Sequence, residues 1–228
     1  MQEQRVWVRV LGGFELVVAG EPVHASASVQ RLIALLALGG RTRRRPFVAG
    51  TLWPDVSERR AAANLRSALW RAGRHGEIVG VVGDGLRLRD EVDVDLRAAE
   101  ALAKSELEGV ETSDGDVALL TEDLLPDWYE DWALAEQERF RQLRLLALDA
   151  RCSRLAAAGR FAEAIEAGLL SLAGEQLRES AHIALIHVHL AGGNRGEALR
   201  QYRRCEQLLQ DELGIRPSDG LQALVGVL

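Results

Sequence analysis

Residues 57–74 read SERRAAANLRSALWRAGR, a stretch of arginines, one asparagine and two serines set among alanines and leucines. Arginine pairs bidentately with guanine, asparagine with adenine, serine reaches either kind of edge, and alanine allows close approach or meets a thymine methyl. At about 100° per residue, Ala61, Leu65, Ala68, Leu69 and Ala72 share one helical face. Arg60, Ala63, Ser67, Trp70 and Arg74 point the opposite way, flanked by Arg59, Asn64, Arg66 and Arg71. One face is made to pack, and the other suits base edges and phosphates. Two more basic groups accompany it. Arg41, Arg43, Arg44 and Arg45 could fix register on phosphates without reading sequence. Arg87 and Arg89 are candidate contacts to a backbone or minor groove. In isolation the helix reads more readily as a solvated amphipathic helix, and each arginine as a solvated charge. The elements around them decide.

The other reactive residues point to neither a catalytic nor a metal site. Lys104 is the only lysine and has no glycine-rich approach, so no phosphate-binding loop is present. In HIALIHVH, His182 and His189 share a helical face but lie about 10 Å apart by the rise per residue, and His187 points elsewhere. One metal cannot bridge them. Cys152 and Cys205 lack ligand spacing, which fits a reduced cytoplasmic chain. Trp128, Tyr129 and Trp132 could line a ligand pocket, but aromatics at helical spacing are more often core. The expectation is a protein that is not an enzyme and takes no cofactor or metal.

The elements that must hold the basic residues follow from the pattern. RVWVRVLGGFELVVAGEPV alternates apolar residues and breaks at Gly12-Gly13 and Gly20, which predicts short antiparallel strands. VQRLIALLALGG is helical from Ser28 and stops at Gly39-Gly40. Pro46 suits the first turn of a second helix, PFVAGTLW, with residues 41–45 as the loop before it. Pro54 breaks that helix, Ser57 is placed to cap a third over about 58–72, and Gly73 and Gly76 end it. IVGVVGDGLRLR predicts a hairpin turning at Gly83-Asp84-Gly85, with positive φ supplied by the Asp-Gly pair. Strands, three helices and a hairpin in that order describe a winged helix, whose third helix can lie in a major groove. That order turns the arginine-rich helix into a candidate reading element.

From about Asp95 the pattern is helical. DLRAAEALAK predicts a short helix, Glu106–Asp116 a loop, and the stretch from Asp127 to Gly159 one long helix opened by Pro126 and Asp127. Beyond it, AAGRFAEAI at 157–165 lines up with AGGNRGEAL at 191–199 at an offset of 34 residues, the period of a tetratricopeptide helix pair. Ala164 and Ala198 permit close helix approach after the turn. The fold class expected is an α+β winged helix over residues 1–92 followed by an all-α, tetratricopeptide-like domain over 93–228.

Charge supports the division. The whole chain carries −6, yet residues 1–90 hold fourteen arginines against eight acidic residues, a balance of +6, and the remainder carries −12. Such asymmetry suggests two domains, one facing a polyanion. No apolar run reaches the roughly 20 residues of a membrane span. The N-terminus lacks the apolar core of a signal peptide, so a cytoplasmic location without membrane contact is expected.

The order GGFEL, VQRLIALLAL, LWPD, NLRSALWR and GDGLRL resembles the winged-helix half of the antibiotic regulatory proteins of actinomycetes. LLPDWYEDWALAEQERFRQLRLLALD and GEALRQYRRCEQLLQDELGIRPSDGLQAL are similar to the bacterial transcriptional activator domain that follows it in that class. The resemblance implies a sequence-specific activator that docks on direct repeats of double-stranded promoter DNA and recruits RNA polymerase, partly through its sigma factor. It implies that Asn64, Arg66, Ser67 and Arg71 lie in the recognition helix, Arg87 in the wing, and Trp53 as packing at the end of the second helix. Two copies could associate on the repeats, and the protein would be found with the nucleoid. The NTPase module of larger relatives is expected to be absent. Leu86 stands where the family often has an aromatic, and Ala61-Ala62-Ala63 replaces a denser hydroxyl and basic content. The alternative is a helical interaction adaptor whose winged half docks protein rather than DNA.

Overall fold

The computed structural model describes residues 5–110 and 114–226. It divides into two units, Met1–Ala99 with Glu122–Phe140, and Glu100–Thr121 with Arg141–Leu228. In the first unit, β1 (Val6–Arg9), β2 (Glu15–Val18) and β3 (Glu21–Pro22) form the expected antiparallel run. Val6 and Val8 point inward while Trp7 and Arg9 point out, the period of two expected of a half-buried strand. Helix α1 (Ala27–Gly39) buries Val29, Leu32, Ile33 and Leu36 and is stopped by Gly40 in the left-handed conformation.

The arginine run differs from its expected loop. Arg43–Arg44 form a short strand, β4, and Arg45 opens α2 (Arg45–Leu52) with Pro46 in its first turn. Helix α3 (Glu58–Ala72) follows Pro54 and buries Ala61, Leu65, Ala68 and Ala72. Burial of a leucine such as Leu65 contributes on the order of 1.5–3 kcal/mol. Ser57 occupies the N-cap position, but its hydroxyl makes no capping bond; its backbone carbonyl accepts from Ala61 N–H at 2.9 Å.

Strands β5 (Val79–Val82) and β6 (Gly85–Leu88) form the hairpin, and β4 pairs with β6, so the wing is a three-stranded sheet in the order β4-β6-β5. Its turn has two residues, and the positive φ belongs to Gly83 at 59° rather than to the Asp84-Gly85 pair. Strand β7 (Val92–Val94) then returns to lie parallel to β1, completing a four-stranded sheet in the order β3-β2-β1-β7. Its Val-Asp-Val alternation spans only three residues, too short to mark a strand, and its pairing partner lies 86 positions earlier (Val6 with Val92), so the sequence pattern does not reveal β7.

Asp95 opens α4 (Asp95–Leu107) and accepts hydrogen bonds from the backbone N–H of Val10 at 3.0 Å, Leu11 at 3.1 Å and Leu96 at 2.7 Å. Burial nevertheless raises its carboxyl pKa above the ordinary value. Glu106 falls in the last turn of α4 rather than in a loop; residues 111–113 of that expected loop lie outside the described residues. A 3-10 turn spans Asp114–Leu120.

Helix α5 (Asp131–Ala157) begins four residues later than Asp127. The side chain of Gln137 donates to the carbonyls of Leu125 at 2.8 Å and Trp128 at 3.0 Å, holding the preceding segment out of the helix. Trp128 sits between Phe14 and Trp132, with ring centroids 6.0 and 5.9 Å away; both tryptophans are half-buried in this aromatic contact, and Tyr129 is exposed.

In the second unit, α6 (Phe161–Gly174), α7 (Glu179–Ala191), α8 (Arg195–Leu213) and α9 (Asp219–Val225) follow. The repeat is visible at atomic level. Gly159 and Gly193 have φ of 74° and 76°. The next residue's N–H closes each turn on the carbonyl five back, Arg160 to Leu155 at 2.9 Å and Asn194 to His189 at 2.7 Å. Ala164 and Ala198 are fully buried.

His182 is buried, with Nε2 3.0 Å from the Gln176 carbonyl and Nδ1 accepting from Gln201 at 2.8 Å; burial lowers its pKa below the ordinary value. Cys152 and Cys205 are unbonded and buried, and burial pushes each thiol from 9.0 up to about 12. Unfolded thiols ionise first as pH rises, so stability intact below pH 9 is expected to fall between pH 9 and 12, by about 1.4 kcal/mol per pH unit for each thiol. Urea unfolding near pH 8 and near pH 10.5 measures this. The Cys152→Ala/Cys205→Ala variant should respond less steeply, and an equal response would remove the thiols as the cause.

Candidate nucleic-acid interface

Helix α3 carries most of the candidate residues on the side away from its packing face. Arg59, Arg60, Arg66, Ser67, Trp70 and Arg71 are exposed, as is Arg74 just beyond the helix, whereas Ala63 and Asn64 are half-buried. Leu69, assigned to the inward face by periodicity, is also only half-buried. Local bonds already engage several of these groups. The Ser67 hydroxyl donates to the Ala63 carbonyl at 3.2 Å, and Arg71 donates to Ser28 Oγ at 3.2 Å. Trp70 is 69% exposed, with the Arg74 guanidinium 5.6 Å from its ring centroid. Such stacking holds a cation over an aromatic face without removing its charge.

The arginines divide into two groups by what faces them. Among the described residues, Arg41, Arg45, Arg59, Arg60 and Arg66 have no acidic partner. The wing arginines do. Arg87 makes a two-pronged pair with Asp90 at 2.9 and 2.8 Å, and Arg89 pairs with Glu77 and, at 3.4 Å, with Glu91. Arg44 pairs with Asp84 in the wing turn at 3.1 Å. Arg43 folds back over Phe47, its guanidinium 5.1 Å from the ring centroid; burial and neighbouring Arg41 lower its pKa. Positive charge without a local counter-ion is thus concentrated on α3, the start of α2 and Arg41, not on the hairpin. Two of the acids that pair the wing, Asp90 and Glu91, are adjacent in sequence in GLRLRDE and so were legible, whereas Glu77 lies twelve residues before Arg89.

No group of three or more histidine, cysteine or carboxylate side chains able to hold a metal occurs among the described residues. No helix among them is long and apolar enough to cross a membrane.

A sheet-flanked helix-turn-helix with a three-stranded wing, followed by helix pairs repeating at 34 residues, defines the architecture of a winged-helix transcription regulator. Residues 84–227 match the bacterial transcriptional activator domain. The chain belongs to that family, and transcription regulation is the function that membership carries. It is 30% identical over 233 residues to the regulatory protein AfsR of Streptomyces coelicolor, a match covering 94% of this chain and 23% of that protein. It is also similar to the solved structure of Mycobacterium tuberculosis EmbR in complex with a low-affinity phosphopeptide. There the TM-score is 0.75 at 22% identity, covering 97% of this chain and 64% of the other. The chain therefore spans about a quarter of the first relative's length and under two thirds of the second's. The second likeness bears on fold alone.

Proposed function

We propose that the chain is a sequence-specific DNA-binding activator. Residues 1–92 read double-stranded promoter DNA and residues 93–228 serve protein contacts. Helix α3 enters the major groove, with Arg59, Arg60 and Arg66 supplying charge and Asn64 and Arg71 reading base edges. Arg41 and Arg45 meet phosphates beside it. The observation that carries this reading is the set of exposed arginines without acidic partners on a helix held by its opposite face. Two copies on direct repeats, recruiting RNA polymerase through its sigma factor, complete the mechanism implied by the family, in the cytoplasm and at the nucleoid.

Fluorescence anisotropy with promoter fragments at several salt concentrations tests it. Releasing counterions from about four or five contacted phosphates gives a slope near −4 in log affinity against log salt. Absence of binding at low salt would overturn the reading. The wing's internally paired arginines favour a second one, in which the hairpin docks protein. In that case a partner protein, not a duplex, would protect the hairpin from proteolysis.

A further inference from the structure

Between α2 and α3, wholly within the first unit, lies an open groove of about 770 Å³. Small and apolar residues line it, Ala49 and Gly50 from α2 and Ala61, Ala62 and Leu65 from α3. Helices presenting such short side chains to each other leave space that close packing elsewhere in the core would fill. Gly50 is telling. It lies inside a helix, where glycine is unfavourable relative to alanine. Its φ is not in the left-handed range, and a Cβ built there would meet no atom within 4 Å. Neither backbone geometry nor packing within the first unit requires glycine at this position. Gly50 is exposed, and a side chain placed there would project into open space beside the groove.

The rim adds charge. Arg45, Arg59 and Arg66 line the groove without an acidic partner among the described residues, and Glu58 is the only acid lining it. Trp53 supplies an aromatic wall. An apolar concavity of this size with a few placed cations has the composition of a small-molecule site. Guanidinium groups both pair with planar anions and stack on rings. We infer that the α2–α3 groove binds a drug-sized amphiphilic anion, an aromatic body carrying a carboxylate or sulfonate, with the ring system on the small-residue lining and the anion on the arginine rim. Resting on the proposed DNA reading, a second consequence follows. An occupant would engage Arg59 and Arg66 and so compete with DNA for them.

The probe is 8-anilinonaphthalene-1-sulfonate, titrated into the full chain by fluorescence, with uncharged N-phenyl-1-naphthylamine as its control. Saturable one-site binding is expected, weaker by about tenfold for the neutral control and for Arg59→Gln/Arg66→Gln. Gly50→Leu fills the groove and should abolish binding while the melting temperature holds or rises. If Gly50→Leu fails to fold, Ala62→Leu replaces it. Equal binding by the filled variant, equal binding of the two probes, or no saturable binding would each overturn the site. In a second arm, saturating probe should lower affinity for a promoter duplex, and unchanged affinity would overturn the competition. A chain that takes the probe but no duplex would refute the DNA reading and leave the groove standing.

Discussion

Replacing Arg59, Arg60 and Arg66 together by alanine is expected to remove DNA binding at moderate salt, with each single change weakening binding to all sequences alike and shallowing the salt slope by about one. All three are exposed and lack acidic partners among the described residues, so each can exchange water for a phosphate or base edge without first breaking an ion pair. Arg87→Ala and Arg89→Ala are the contrast. Those guanidiniums are held by Asp90, and by Glu77 and Glu91. Exposed pairs of this kind typically contribute 0.2–1 kcal/mol to stability, and their charge is already offset locally. Anisotropy titrations should therefore separate the two groups, with little loss for the hairpin variants. Equal losses would mean that the wing pairs open on DNA and that the unpaired face of α3 is not the main footprint.

The largest stability effect is expected at Glu106. Its carboxylate is fully buried and is shared by Arg151, 5% exposed, and Arg154, which donates to it at 2.8 Å. Removing one partner of a buried ion pair typically costs about 3–5 kcal/mol, because the remaining charge keeps its desolvation penalty and loses its attraction. Glu106→Ala should fall in that range by urea unfolding. Glu106→Leu in an otherwise unchanged chain should be no better, since the two guanidiniums would still lack their carboxylate. A loss below about 1 kcal/mol would instead put this site with exposed pairs. The site also tests which unit unfolds, because Glu106, Arg151 and Arg154 all belong to the second unit.

Sequence pattern reveals elements whose signal is local. The inward face of α3 follows from helical spacing alone, and Ala61, Leu65, Ala68 and Ala72 are buried as that spacing requires. The repeat is equally legible, because a turn glycine and a small residue five positions later are needed at each helix pair. Long-range pairing is not legible. Strand β4 consists of two arginines whose strand character comes from lying beside β6. Glu106 reads as part of an acidic loop because nothing near it in sequence announces arginines 45 and 48 positions later. Of the candidate interface, position was readable and availability was not. A periodicity argument places Arg71 and Ser67 outward, but only the fold reveals that each already holds a hydrogen-bond partner.

Asp95 has a consequence in mechanical terms. Its carboxylate fastens the first turn of α4 to the backbone at the end of β1, and β1 runs parallel to β7, the strand from which α4 emerges. Tension pulling on α4 away from the sheet would therefore be shared between the ends of two parallel strands instead of falling on β7 alone. The wing strands belong to the separate sheet β4-β6-β5 and share no ladder with β1 and β7. The joint between sheet and helix behaves as a rivet.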